Sequence, residues 1–162
     1  MDVATDTCVV INLIRVSRLD ILGALPPHVF HLPPEVIAEV EEPDQRKAVE
    51  EAIRQGWIRE ARLEDPAELQ TFARANAQLG KGESACIALA EKRGWALGTD
   101  DSKGAKWKKV ISGPGIQVLN TPGILLLAIR KGVLTVKEAD EIKLALEQNR
   151  FKMGFDSFGD LV

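Results

Sequence analysis

The sequence predicts an α/β domain in which a parallel sheet carries helices on both faces. Three observations lead there. Short apolar runs alternate with helical patterns along the whole chain, the signature of strands joined by helical crossovers. The chain has 162 residues, of which 45% are hydrophobic and 28% charged, an ordinary balance for a globular chain with a core. No linker, internal repeat or low-complexity segment divides it, so residues 1–162 are expected to form one domain.

Each element has its own local reason. "DVATD" reads as a very short strand ending at Asp6. In "TCVVINLIRVSRLDILGAL", Val9, Val10, Leu13 and Ile14, then Leu19, Ile21 and Leu22, recur at helical spacing. "PPHVFHLPP" is a strand bracketed by proline pairs. "PEVIAEVEEPDQRKAVEEAIRQG" is helical at both ends, with Pro34 suited to a first turn, Pro43 breaking the middle and Gly56 suited to the stop. "WIREARL" is a further strand, and "DPAELQTFARANAQLG" is an amphipathic helix that Asp65 caps. "KGESACIALAEKRG" is rich in alanine and leucine and ends at Gly94, a clear helix. "WALGT" is a short strand, "DSKGAKWKKVISG" a basic helix weakened by Gly104, and "IQVLNT" a strand. "PGILLLAIRKG" and "TVKEADEIKLALEQN" are two more helices, the second opened by a capping box of Thr135 and Glu138. The tail from Arg150 to Val162 mixes aromatics, glycines and charges, and is expected to lie on the body or on a partner.

Composition narrows the chemistry. A formal net charge of -3 gives no bulk nucleic-acid signature, so an anionic partner needs a local basic patch or a bound metal. Cys8 and Cys86 sit among apolar neighbours and read as buried reduced thiols; two cysteines make no zinc site unaided. His28 and His31 read as strand residues, which argues against histidine acid–base or metal chemistry. The start lacks the basic and apolar regions of a signal peptide, and no run approaches a membrane span, so a cytoplasmic protein is expected.

The acids are where the pattern sharpens. In parallel sheets, ligands bind beyond the carboxyl ends of the strands. Asp6 stands at the end of the first strand, and Asp100 and Asp101 at the end of "WALGT". Glu39 lies one helical turn beyond Glu35, and Glu83 lies in the first turn of its helix, where ionisation is favoured. If these acids share a rim they repel one another unless a cation sits among them. Mg²⁺ or Mn²⁺ suits such a hard-oxygen site and would polarise a phosphoryl oxygen. Taken singly, each acid has a plain alternative: Asp6 as a helix cap, Glu39 on a solvated helix face, Glu83 as a first-turn charge, and Asp100 or Asp101 as a cap.

Four stretches in order, "TDTCVVINLI", "LPPEVIAEV", "GKGESACIALA" and "ALGTDD", make the chain resemble a PIN-domain protein. The "GxGE" helix, the "DD" pair and "TPGILLLAIRKGVL" are similar in particular to the VapC-like branch. The resemblance implies a three-layer α/β/α sandwich with a central parallel sheet of about five strands. It also implies metal-dependent ribonuclease activity and, in many members, pairing of a toxin with an antitoxin. By position Asp6, Glu39, Glu83 and Asp101 match the family's four acids, and Asp100 is close enough to serve as a metal ligand instead or as well. Thr7, Asn12 and Thr99 fall where supporting polar groups are expected. The third acid is glutamate where many relatives have aspartate. Lys103, Lys106, Lys108 and Lys109, around Trp107, are candidates for phosphate contacts, against the alternative of a solvated helix face.

The expected function is therefore an Mg²⁺- or Mn²⁺-dependent endoribonuclease, the toxin of a toxin–antitoxin pair. Its expected partners are RNA and an antitoxin, with a homodimer as a further option and no membrane. The alternative is a catalytically silent PIN-like module that binds RNA or protein. A phosphate-receiving signalling domain fits poorly, because its acid pair follows the first strand and a lysine follows the last; here the pair follows the fourth strand.

Overall fold

The computed structural model describes residues 1–101, 110–111 and 115–162. Four strands form one parallel sheet: β1 (Asp2–Thr5), β2 (Val29–Leu32), β3 (Ile58–Glu60) and β4 (Ala96–Gly98), in the order β3-β2-β1-β4. Val3 pairs with Phe30 on one side and with Ala96 on the other. The expected fifth strand is present only as a parallel bridge between Leu97 and Val118. Leu97 N donates to Gln117 O at 2.8 Å, and Leu119 N donates to Leu97 O at 2.9 Å.

β1 is the point where the chain changes direction across the sheet. β2 and β3 are laid down on one side of it and β4 on the other, so the carboxyl ends of β1 and β4 flank a topological switch point, the usual crevice of a parallel sheet. Val3, Ala4 and Thr5 are fully buried, as strands covered on both faces require.

The helices between strands follow their capping signals. α1 (Thr7–Arg15) begins on Asp6, which is its cap and not the last residue of the strand. The apolar pattern after it does not continue as one helix. Ser17 takes φ 55, the chain turns, and Leu19–Ala24 forms a 3₁₀ segment whose Leu19, Ile21 and Leu22 still reach the core. Pro34 opens α2 (Pro34–Glu39) and Pro43 opens α3 (Pro43–Arg54), where Glu42 accepts from the amides of Asp44 and Gln45. α4 (Pro66–Asn76) and α5 (Lys81–Arg93) pack side by side. Buried Glu68 accepts at 2.6 Å from Arg93 Nε and ties them together. α5 ends on Gly94 at φ 67, the left-handed position that suits glycine. α6 (Thr121–Arg130) and α7 (Val136–Gln148) complete the set of described helices, α7 with the expected box of Thr135 and Glu138.

One apolar cluster runs from Val3 to Phe158. The tail lies on the body: Phe158 is fully buried, and its amide and the Ser157 hydroxyl both donate to Asp140, at 2.8 and 2.7 Å. His31 accompanies Asp2 at 2.8 Å and stacks on Trp95, a structural role in β2. No described helix is long and apolar enough to cross a membrane.

Candidate metal centre

The site begins where β1 gives way to α1. Asp6 is 5% exposed. Its amide donates to Gly98 O at 2.7 Å, which fastens it to the end of β4. Its Oδ1 accepts from Thr7 N at 2.8 Å. The other oxygen, Oδ2, lies 3.4 Å from the Thr99 hydroxyl and 3.7 Å from Cys8 Sγ. Fully buried Thr99 also accepts from Asp101 N at 3.2 Å, so one hydroxyl positions the two aspartates. One donor atom each of Asp6, Cys8 and Asp101 lies within 4.8 Å of the others.

Glu39 arrives from the last residue of α2. Its Oε2 accepts from the Thr7 hydroxyl at 2.6 Å, and its Oε1 accepts from Gly82 N at 2.8 Å. α5 has no capping side chain of its own, because its cap residue is Gly80. The Glu39 carboxylate fills that place from another helix, on an amide of the first turn. Glycine at 82 leaves room for that carboxylate: a Cβ there would stand 2.6 Å from Glu39 Oε2 and push the side chain's end aside. The carboxylate of Glu83, the next residue of α5, makes no hydrogen bond with another described residue.

Asp100 is used differently. Its Oδ1 accepts from Thr121 N at 2.8 Å, and its Oδ2 accepts from the Thr121 hydroxyl at 2.7 Å and from Asn12 Nδ2 at 3.1 Å. It thereby joins the end of β4 to the first turn of α6, and spends both oxygens on protein donors.

The electrostatics reflect this crowding. Burial, then the charges of Glu39 and Asp101, push Asp6 up to about 6, although the Thr7 amide opposes them. Burial and the charges of Asp6, Asp101 and Glu39 push Glu83 up to about 7. Burial and Asp6 push the Cys8 thiol up to about 12, so it stays protonated. The neighbouring carboxylate oxygens of Asp6 and Asp101 suit a hard divalent cation. Asp6 and Asp101 would hold such a cation, with Glu39 and Glu83 facing them.

Of the four acids expected from the sequence, Asp6 and Asp101 bring donor atoms within 4.8 Å of each other. Glu39 and Glu83 stand outside that group, but the charge of Glu39 raises the pKa of Asp6, and those of Asp6, Asp101 and Glu39 raise that of Glu83. Thr7 bonds Asp6 and Glu39, Thr99 bonds Asp6 and Asp101, and Asn12 bonds Asp100, which is turned toward α6. Lys103, Lys106, Lys108 and Lys109, with Trp107, lie outside the described residues. Cys8, expected as a buried thiol, stands half-buried beside Asp6. The sequence marks Gly82 only as a helix-start glycine and does not single out Arg15. Cys8, Asn12 and Arg15 recur at i, i+4 and i+7 on α1, a spacing that would have put them on one face. A family model described as a PIN domain matches residues 2–155. No curated protein matches the chain.

Proposed function

The chain belongs to the PIN-domain family, a nuclease fold, and from that premise we propose that it is an Mg²⁺- or Mn²⁺-dependent endoribonuclease. What supports this reading is the closeness of Asp6 and Asp101 at the sheet's switch point, with Glu39 and Glu83 near enough for their charges to act on the same pocket. A divalent cation held there would supply Lewis acidity to a phosphoryl oxygen and a nucleophilic water near neutral pH. The protein's own part is positioning. Thr99 sets Asp6 and Asp101, and Thr7 with Gly82 sets Glu39. Glu83, whose carboxylate makes no hydrogen bond with another described residue, is the acid we assign to moving a proton during hydrolysis.

The VapC-like toxin role, in the cytoplasm and opposed by an antitoxin, belongs to the same proposal and rests on the resemblance of "GKGESACIALA" and "ALGTDD". Apolar surface for an antitoxin or a second copy exists on α6, at half-buried Leu126, Leu127 and Ile129, and on α7, at Leu144, 59% exposed.

The test is cleavage of a panel of RNAs by the purified chain with Mn²⁺. Cleavage should vanish with a chelator and fall by about 100-fold or more in Asp6→Asn and Glu83→Gln. Undiminished cleavage by Asp6→Asn would defeat the proposal. A chain that neither cleaves nor gains thermal stability from Mn²⁺ would be the silent binding module instead.

A further inference from the structure

Beside the carboxylates lies a cleft that the metal reading leaves unused. It measures about 380 Å³, the size of a small-ligand site, and is lined by Cys8, Asn12, Arg15, Asp100, Asp101, Arg150 and Phe151, among others. Arg15 is the last residue of α1, and Arg150 follows α7. Both are exposed, and neither guanidinium makes an ion pair or hydrogen bond with another described residue. Two arginines without a partner among the described residues thus share one cleft with Asp100 and Asp101.

The backbone at Arg150 adds an independent reason. α7 closes in a Schellman turn: Phe151 N donates to Leu146 O at 2.9 Å and Arg150 N to Glu147 O at 3.0 Å. Arg150 occupies the left-handed position of that turn, at φ 67. Glycine is the usual residue there, because a Cβ is strained in this conformation. A large side chain at such a place carries a backbone cost that glycine would not. Here it lines the cleft that opens onto Asp101.

We propose that Arg15 and Arg150 form a phosphate clamp for a single-stranded RNA backbone, gripping phosphates next to the one presented to the carboxylates. The clamp rests on the ribonuclease reading and names its substrate class. Planar guanidinium groups match phosphate oxygens two at a time. Half-buried Phe151 gives the cleft an apolar wall for a base.

The experiment is fluorescence anisotropy of a labelled 12-nucleotide single-stranded RNA with the full chain, in EDTA so that nothing is cut, over a range of salt. Arg15→Gln and Arg150→Gly should each weaken binding several-fold and lower the slope of log Kd against log salt by about 0.7. Arg150→Gly should melt at or above the wild-type temperature, and both variants should keep the wild-type thermal shift with Mn²⁺. Equal affinity and salt slope in all three proteins, or no RNA binding by the wild type, overturns the clamp. A wild type that grips RNA through both arginines yet never cleaves it with Mn²⁺ supports the clamp and removes the ribonuclease reading.

Discussion

Replacing Asp6 by asparagine should make the metal-free protein more stable at neutral pH while removing its chemistry. Asp6 ionises at about 6 in the fold against an ordinary 3.8. At about 1.4 kcal/mol per tenfold change in proton affinity, its charge costs the native state about 3 kcal/mol once fully ionised. The sign follows from the direction of the shift. Below 3.8 the group is protonated in both states and the cost is absent. Between 3.8 and about 6 the native state binds more protons than the unfolded one, so stability falls as pH rises; above that the whole cost applies. Asparagine carries no charge but retains an oxygen for the Thr7 amide, so the cap of α1 survives. Urea denaturation in EDTA should therefore show Asp6→Asn equal to wild type near pH 4 and more stable by about 2–3 kcal/mol at pH 8. Saturating Mn²⁺ should narrow or reverse that gap, because it stabilises the wild type more than the variant. A variant no more stable than wild type at pH 8 without metal, or a difference that ignores pH, would refute the electrostatic account of the site.

Two further outcomes follow from particular contacts. In Gly82→Ala the new Cβ displaces the end of the Glu39 side chain, 2.6 Å away. The loss of a charge-assisted hydrogen bond, about 1.5–3 kcal/mol, is partly offset by about 1 kcal/mol of helix propensity. Denaturation should register a small net loss, whereas calorimetric titration should register Mn²⁺ binding weakened by about 10–100-fold; wild-type affinity would show that Glu39 does not need its tether. Arg93→Met leaves the Glu68 carboxylate, 1% exposed, without its strongest partner. The shift in urea midpoint should correspond to about 2–3 kcal/mol, since Arg93 is itself only partly buried. A loss below about 0.5 kcal/mol would reduce the pair to an ordinary surface bridge.

What the sequence disclosed was what local chemistry controls. Thr135 and Glu138 announce α7, Pro34 and Pro43 open their helices, and the acids at 6, 83 and 101 follow strand and helix ends that short-range pattern reveals. Contacts that depend on distant partners stayed hidden. Nothing near Gly80 shows that its helix would be capped by Glu39 from α2, and nothing near Asp100 shows that it would be held by Thr121. The break after α1 was illegible because Ser17 carries no marker for a left-handed backbone. The fifth strand is reduced to one bridge because pairing is settled by a partner distant in sequence, and not by the β propensity of "IQVLNT" alone. The cleft draws Arg15 and Arg150 from near opposite ends of the chain, beyond the reach of any periodicity.

The double duty of Glu39 bears on how this lineage could decay. An acid that steadies the start of α5 would remain under selection for folding even after catalysis ceased to matter. Glu83 has no such second employment among the described residues, and it would drift first. Across descendants and cousins of this chain, position 39 would then be a poor witness to enzymatic life, and position 83 the one to consult.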